Sequence, residues 1–385
     1  MQIKEIFMIR CISCLSVVLL HIISMVLMLQ AEALADISHT VDSFRTLLMF
    51  STPLLFSSLN FYWPVLILNG VPDGFLKKRG KVIFVPFLFI AAIDALLMTS
   101  AMGGEVTFLA FVQKYLANVF LGNFIGYFIL VIFQFYMLHM MFHEYLKKAS
   151  PKWVLSISFV VTAAYLGYFS AASPAPASEE GGAFPFFWVP FAGWLFYFCL
   201  AYYCGKEYKR FLALLNQYRW VVYGAAIASG ALVVTVSYVG EIGMISSKRP
   251  DIMLYSTSMI FLCFHLFSKM KHVPKIMMFI SNYSFSIYLL HAYFMIIGYV
   301  LLLNMPEIPA VPAVLLLFAV CTAGPIMTSW ALNKFKYGYL FVGKIYQPKQ
   351  KKVTVEVRDH AGVKNKRQEG SCRVSLLLIR LQNCF

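Results

Sequence analysis

Charge is in short supply in this sequence: 13% of its 385 residues are Asp, Glu, Lys or Arg, where soluble domains carry about 25%. With 60% hydrophobic residues and a mean hydropathy of +0.74, one large soluble core is excluded. Acidic residues are the scarcest, 17 against 32 basic. The net charge of +15 comes without any RNA- or DNA-binding motif, and the cations fall in short bursts between apolar runs. That is the loop patterning of a membrane protein, so nucleic acid is excluded as a partner. Paired cysteine spacing is nearly absent. Of eight cysteines only Cys11 and Cys14 show C-x-x-C spacing, with no second pair for a zinc site and no βαβ context for a redox motif. The first apolar run lacks a cleavage site of small residues, so it is kept as a span. No internal repeat and no glycosyltransferase or nucleotide-fold segment is present, so any polymer the protein serves is made elsewhere, for instance by a polysaccharide synthase.

Apolar runs are what the sequence has in abundance. Ten of them match the roughly 20 residues that cross about 30 Å of hydrocarbon, at about 6–29, 44–68, 82–102, 124–142, 153–172, 184–204, 219–239, 252–268, 280–303 and 311–332. The expected fold class is all-α, a polytopic integral membrane protein with about ten transmembrane helices. Loops on one side hold Lys77, Lys78, Arg79 and Lys81, then Lys147, Lys148 and Lys152, then Lys206, Lys209 and Arg210, then Lys269, Lys271 and Lys275. The opposite loops hold only Lys114, Lys248, Arg249 and, at one edge, Arg45, together with most of the acidic residues. The positive-inside rule places the basic loops and both termini in the cytoplasm of a multi-pass cell-membrane protein. A transmembrane domain is expected over 1–346. Residues 347–385 are expected to be a basic cytoplasmic tail, probed for order by its polar composition and read as disordered, either held near anionic lipid or without a role. The loop 173–190 reads as an interfacial lid or as a plain connector with an aromatic belt.

The stretch "FMIRCISCLSVVLLHIISMV" (7–26) sets two groups that hydrocarbon solvates badly into the first span. Arg10 and His21 are eleven positions apart, nearly three helical turns, so they share a face with about 16 Å between them along the axis. Arg10 near the cytoplasmic interface can snorkel, whereas His21 lies past the midplane and needs a protein interior or a wet cavity. A histidine so placed is a candidate general base. The cations of "FLKKRGKVIFVPF" (75–87) either signal topology or grip phosphates, with Arg79 offering a bidentate fork. Asp94, in mid-span, is a cavity residue or a protonated carboxyl bonded to a neighbouring helix. Gln134 and Tyr136 bind sugar hydroxyls or join helices. His139 and His143 have the spacing of a metal pair but no third ligand, so no metal is expected. His265 reads as structural.

Taken in order, R-x10-H at Arg10 and His21, "KKRGKVIFVP", "GYFILVIFQFYML" (126–138) and "ISNYSFSIYLLHAYF" (280–294) resemble the membrane-bound acyltransferases of the acyltransferase-3 family. "FAGWLFYFCLAYYCGKEYKRFL" (191–212) and "YLFVGKIYQP" (339–348) are similar to its intercellular adhesion protein C subgroup. The resemblance implies transfer of an acetyl or succinyl group from cytoplasmic acyl-CoA, a co-substrate and not a bound cofactor, to a carbohydrate acceptor at the outer face. By position it makes His21 the essential histidine, Arg10 its partner, Arg79 and Lys81 part of the donor loop with Lys77 and Lys78, and His291 the histidine of the family's Y-L-x-H stretch. One departure is "LLFSSLNFYW" (54–63), where the family often carries a Ser-Gly pair. The subgroup also raises the alternative of an exporter of polysaccharide or lipid-linked sugar without chemistry.

Overall fold

The computed structural model describes residues 3–61, 74–101, 107–171, 189–239 and 246–345, and among these every regular element is helical. Lipid supplies no partner for backbone amides, so a chain this apolar closes its hydrogen bonds within helices. In order they are α1 (Lys4–Leu29), α2 (Ser38–Leu47), α3 (Ser51–Asn60), α4 (Phe75–Arg79), α5 (Val85–Ala101), α6 (Phe108–Leu116), α7 (Phe128–Lys148) and α8 (Pro151–Ala171). The second half comprises α9 (Leu195–Lys206), α10 (Tyr208–Gln217), α11 (Arg219–Val239), α12 (Pro250–Lys269), α13 (Lys275–Leu303), α14 (Ala310–Leu332) and α15 (Tyr339–Val342).

The protein is a polytopic all-α membrane protein. Eight helical stretches among the described residues are long and apolar enough to cross a bilayer, two fewer than the sequence suggests. Expected span 44–68 is broken into α2, a 3₁₀ turn at Leu48–Phe50 and the ten-residue α3. Residues 62–68 of that span lie outside the described set, as do most of the 173–190 loop and the 347–385 tail. For expected span 184–204 the described helix begins only at Leu195 and runs twelve residues. A further difference is helical structure at Phe108–Leu116, where a loop was expected. The chain leaves it through a π turn to Gly122, whose φ of 67° and 2.8 Å clearance to the Tyr127 Cβ both require glycine.

Side-chain contacts fix which helix ends share a side. Lys4 donates to the carbonyls of Ser268 and Met270, Lys206 to that of Lys147 at 2.8 Å, and Lys269 to the Asn216 amide oxygen. The ends of α7, α9, α10 and α12 therefore lie with the start of α1 on the lysine-rich side. On the opposite side Gln30 donates to the Ile308 carbonyl at 2.8 Å, and Ser237 meets Thr46 at 3.3 Å and Arg249 at 3.0 Å.

Helix α1 is the axis of the bundle. It packs on α3, α12, α13 and α14, and seven consecutive residues, Glu5 to Cys11, are all buried. A helix buried all round its circumference is sheathed by protein and does not face lipid. Arg10 is thus removed from hydrocarbon before any chemistry is considered, whereas His21 lies in the half-buried remainder of the helix.

Close helix packing leads to a stability prediction. A Cβ on Gly205 of α9 would lie 2.3 Å from the Phe61 carbonyl oxygen, a backbone atom, whereas Gly224 of α11 has nothing within 4 Å. Gly205→Ala should lower the thermal stability of detergent-solubilised protein by about 1–3 kcal/mol. Gly224→Ala should raise it by about 0.5–1 kcal/mol. Melting curves of the purified variants check both signs.

Candidate functional site

Two polar clusters sit on the α1–α13 seam, one towards each side. These helices run parallel, and the polar residues of one meet those of the other at matching heights.

In the deeper cluster the rings of His21 and His291 face each other with centroids 5.4 Å apart and planes 37° from parallel. His291 is fully buried. Its Nδ1 lies 3.0 Å from the Ile287 carbonyl and 2.8 Å from that of Tyr288. Two carbonyl acceptors at one ring nitrogen require a proton there, so Nδ1 carries the hydrogen. The neutral ring then bears its lone pair on Nε2, which is buried with no hydrogen-bond partner among the described residues. His21 is half-buried. One turn along α1, the Ser24 hydroxyl accepts from Arg45 Nε at 3.1 Å, and Arg45 also pairs with Asp42. The charge of Arg45 reaches the His21 ring. Arg45 thus belongs to this cluster, although sequence reasoning counted it only as a loop cation. Its position comes from α2, which folds back over the end of the seam.

The cluster nearer the lysine-rich side is built on Arg10. This side chain is buried, and its Nη2 donates to Ser284 Oγ at 2.8 Å, while Ser284 donates to the Ser281 carbonyl at 2.9 Å. Ser284 lies seven positions, or two turns, before His291 and so on the same face of α13. That spacing was visible in "YSFSIYLLH" and is the signal by which Ser284 could have been found. Tyr136 is buried on α7, and the charges of Arg10 and Arg79 both reach it. Of the four loop cations, Arg79 alone is buried, its guanidinium carbon 5.1 Å from the Phe75 ring, which in turn packs on Tyr136 at 5.6 Å. Lys77, Lys78 and Lys81 are exposed.

Other candidates lie elsewhere. Asp94 of α5 accepts from Asn118 Nδ2 at 2.9 Å and has Lys114 at 4.0 Å, joining α5 to the π turn after α6. Gln134 uses both ends of its amide on backbone, donating to the Val189 carbonyl at 3.0 Å and accepting from the Phe191 amide at 2.9 Å. His139 and His143 pack ring to ring at 5.3 Å beside Tyr202, and no group of three or more metal-ligating side chains occurs among the described residues. Lys248 and Arg249, counted from sequence as loop charges, are buried. Arg249 is clamped to Asp251 at 2.6 Å. Lys248 sits over the Trp194 ring, 3.0 Å from its centroid, and burial draws its ammonium well below the ordinary lysine range.

A helical membrane protein with paired imidazoles at one height and a buried guanidinium at another has the makings of a group-transfer enzyme, and comparison with known proteins agrees. A family model described as an acyltransferase domain matches residues 3–330, so the chain belongs to the acyltransferase-3 family and is an acyltransferase. It is 96% identical over 362 residues to a Bacillus subtilis (strain 168) protein described as "Putative membrane-bound acyltransferase YfiQ", covering 94% of this chain and 100% of that one. It is 27% identical over 301 residues to the "Probable poly-beta-1,6-N-acetyl-D-glucosamine export protein" of Staphylococcus aureus (strain MRSA252), covering 74% of this chain and 81% of the relative. The Staphylococcus epidermidis protein of the same description is 26% identical over 299 residues, covering 74% and 79%. No solved structure matches.

The Arg10–Ser284 bond should be measurable. In a double-mutant cycle of Arg10→Gln and Ser284→Ala, melting of the purified variants should give a coupling of about 1–2 kcal/mol. The same cycle with the exposed Lys78→Gln in place of Arg10→Gln should give a coupling near zero.

Proposed function

We infer that the protein moves an acetyl or succinyl group from cytoplasmic acyl-CoA to a hydroxyl of a cell-surface polysaccharide or sugar. The observation that carries this reading is the facing pair His21–His291, with the buried Nε2 of His291 left as a bare acceptor. In this reading the lysine-rich side, with both termini, is cytoplasmic. Lys77, Lys78 and Lys81 draw in the donor's phosphates, and Arg79 and Arg10 hold its charge at the mouth of the seam. The long thioester arm of the donor then reaches along α1 towards His21.

At the imidazole pair the acceptor hydroxyl lies between the two rings. His21 takes the hydroxyl proton as the oxygen attacks the thioester carbon, and His291 Nε2 is poised to accept a hydrogen bond from His21 or from the hydroxyl itself. The tetrahedral intermediate collapses by breaking the carbon–sulfur bond, and the proton held on imidazole returns to the leaving thiolate. Arg45, at the edge of the pair, stabilises the negative charge that develops on the carbonyl oxygen. Direct transfer needs no covalent acyl-enzyme. If one forms, His21 is the nucleophile.

The printed names of the Staphylococcus relatives refer to export, and one experiment separates the two activities. Cells lacking the protein are complemented with wild type, His21→Ala or His291→Ala, with membrane insertion checked for each. Acyl groups per sugar and total surface polysaccharide are then determined. Each histidine variant is expected to reduce acylation by about 10²–10⁴-fold, with polymer still reaching the surface. Unchanged acylation with polymer retained inside the cell would make the protein an exporter.

A further inference from the structure

Helix α14 starts beside the Gln30–Ile308 contact and so ends on the lysine-rich side. There the chain turns back as a strap, residues 339–345, that begins with α15. It follows the matched family domain, which ends at residue 330. Buried side chains of α13 and the end of α14 fix its path. Ser286 of α13 donates to the Val342 carbonyl at 2.8 Å, and its oxygen lies 2.9 Å from that of Ser329 on α14. A hydroxyl has one proton to give, so Ser329 is the donor in the second contact. Just past α14, Asn333 donates from Nδ2 to the Gly343 carbonyl at 3.1 Å. Ser286 and Ser329 are both buried, where an unmade hydrogen bond is costly.

The other edge of the strap lies against α5 and the turn before it. Phe341 packs on Phe89 with ring centroids 4.6 Å apart, and Lys81 Nζ is 5.9 Å from the centre of the Tyr339 ring. Lys81 belongs to Gly80–Phe84, a π turn that joins α4 to α5. Such a turn is a rare winding that recurs at functional sites, and here its register depends on what packs against it. Arg79, just before it, is buried beside Phe75, whereas Lys81 is exposed and meets the strap. Ser286 in turn lies two residues from Ser284, the partner of Arg10. The strap therefore bridges the turn of α13 that holds Arg10 and the turn that carries Lys81.

We propose that the strap is a positioning element of the donor site, in which Tyr339 holds Lys81 at a set distance from Arg10 to receive the phosphates of the incoming donor. The proposal rests on the acyl-CoA reading for the identity of that donor, so geometry and binding are measured separately. Purified protein in nanodiscs is tested for binding of radiolabelled acetyl-CoA by equilibrium dialysis, and amide hydrogen exchange of residues 79–84 is followed by mass spectrometry. Tyr339→Leu keeps an apolar contact but removes the ring face. It should weaken acetyl-CoA binding about two- to fivefold and speed exchange at 79–84 by a similar factor. Tyr339→Phe keeps the ring and should match wild type in both measurements. In a Lys81→Gln background, Tyr339→Leu should cause no further loss of binding. No separation of Tyr339→Leu from Tyr339→Phe in either measurement, or a loss of binding that adds to that of Lys81→Gln, would overturn the proposal and leave the strap a structural clasp. If wild type binds no acetyl-CoA yet exchange at 79–84 separates the two variants, the acyl-CoA reading fails alone. If acetyl-CoA binds wild type and Tyr339→Leu alike, the role of the strap fails alone.

Discussion

The burial of the first turns of α1 is the constraint on which the architecture turns. A guanidinium in hydrocarbon costs on the order of 3 kcal/mol on insertion scales, and Arg10 lies about six residues into a spanning helix. The chain meets this by surrounding residues 5–11 of α1 with protein, so that Arg10 finds the Ser284 hydroxyl instead of lipid. With α13 held against α1 in parallel by that contact, His21 and His291 meet further along the same helix pair. The two clusters are therefore successive contacts of one helix pair.

The division of polar residues along this seam matches the division of labour an acyltransferase needs. Arg10 and Arg79 lie at the end nearer the lysine-rich loops, the imidazoles with Arg45 at the other, and the intervening face of α1 carries Cys14, Val17 and Val18, all buried and apolar in character. In the proposed reading the donor's charge is met at the Arg10 end and proton transfer takes place at the imidazole end.

The axial helix and its two polar residues were legible in the sequence, because the period of an α-helix converts a separation of eleven into a shared face. His291 was legible only through resemblance to a family, and its partner Ser284 lay in the same quoted stretch without being singled out. Arg45 was hidden for a physical reason. Sequence periodicity reports the face of a residue's own helix, whereas Arg45 works by the folding back of α2 across the end of α1, a tertiary event that periodicity does not encode. Asp94 shows the same limit from the other side. Its depth in a span left it either a cavity group or a carboxyl bonded to a neighbouring helix, and the partner is Asn118, on a segment read as a loop. The expected second span was treated as one rod of 25 residues, while its described part divides into two helices joined by a 3₁₀ turn.

The anchoring of His291 carries a consequence of its own. In many enzymes the tautomer of a working histidine is chosen by another side chain, typically a carboxylate, and a single substitution can reverse it. Here the choice is made by main-chain carbonyls of the helix on which the ring itself sits. No point substitution elsewhere removes those acceptors, and the ring cannot turn over without giving up both. His291 is therefore a one-ended group, able to take up a proton only on the face turned away from its own helix, and the polarity of the site is written into backbone geometry instead of side-chain chemistry.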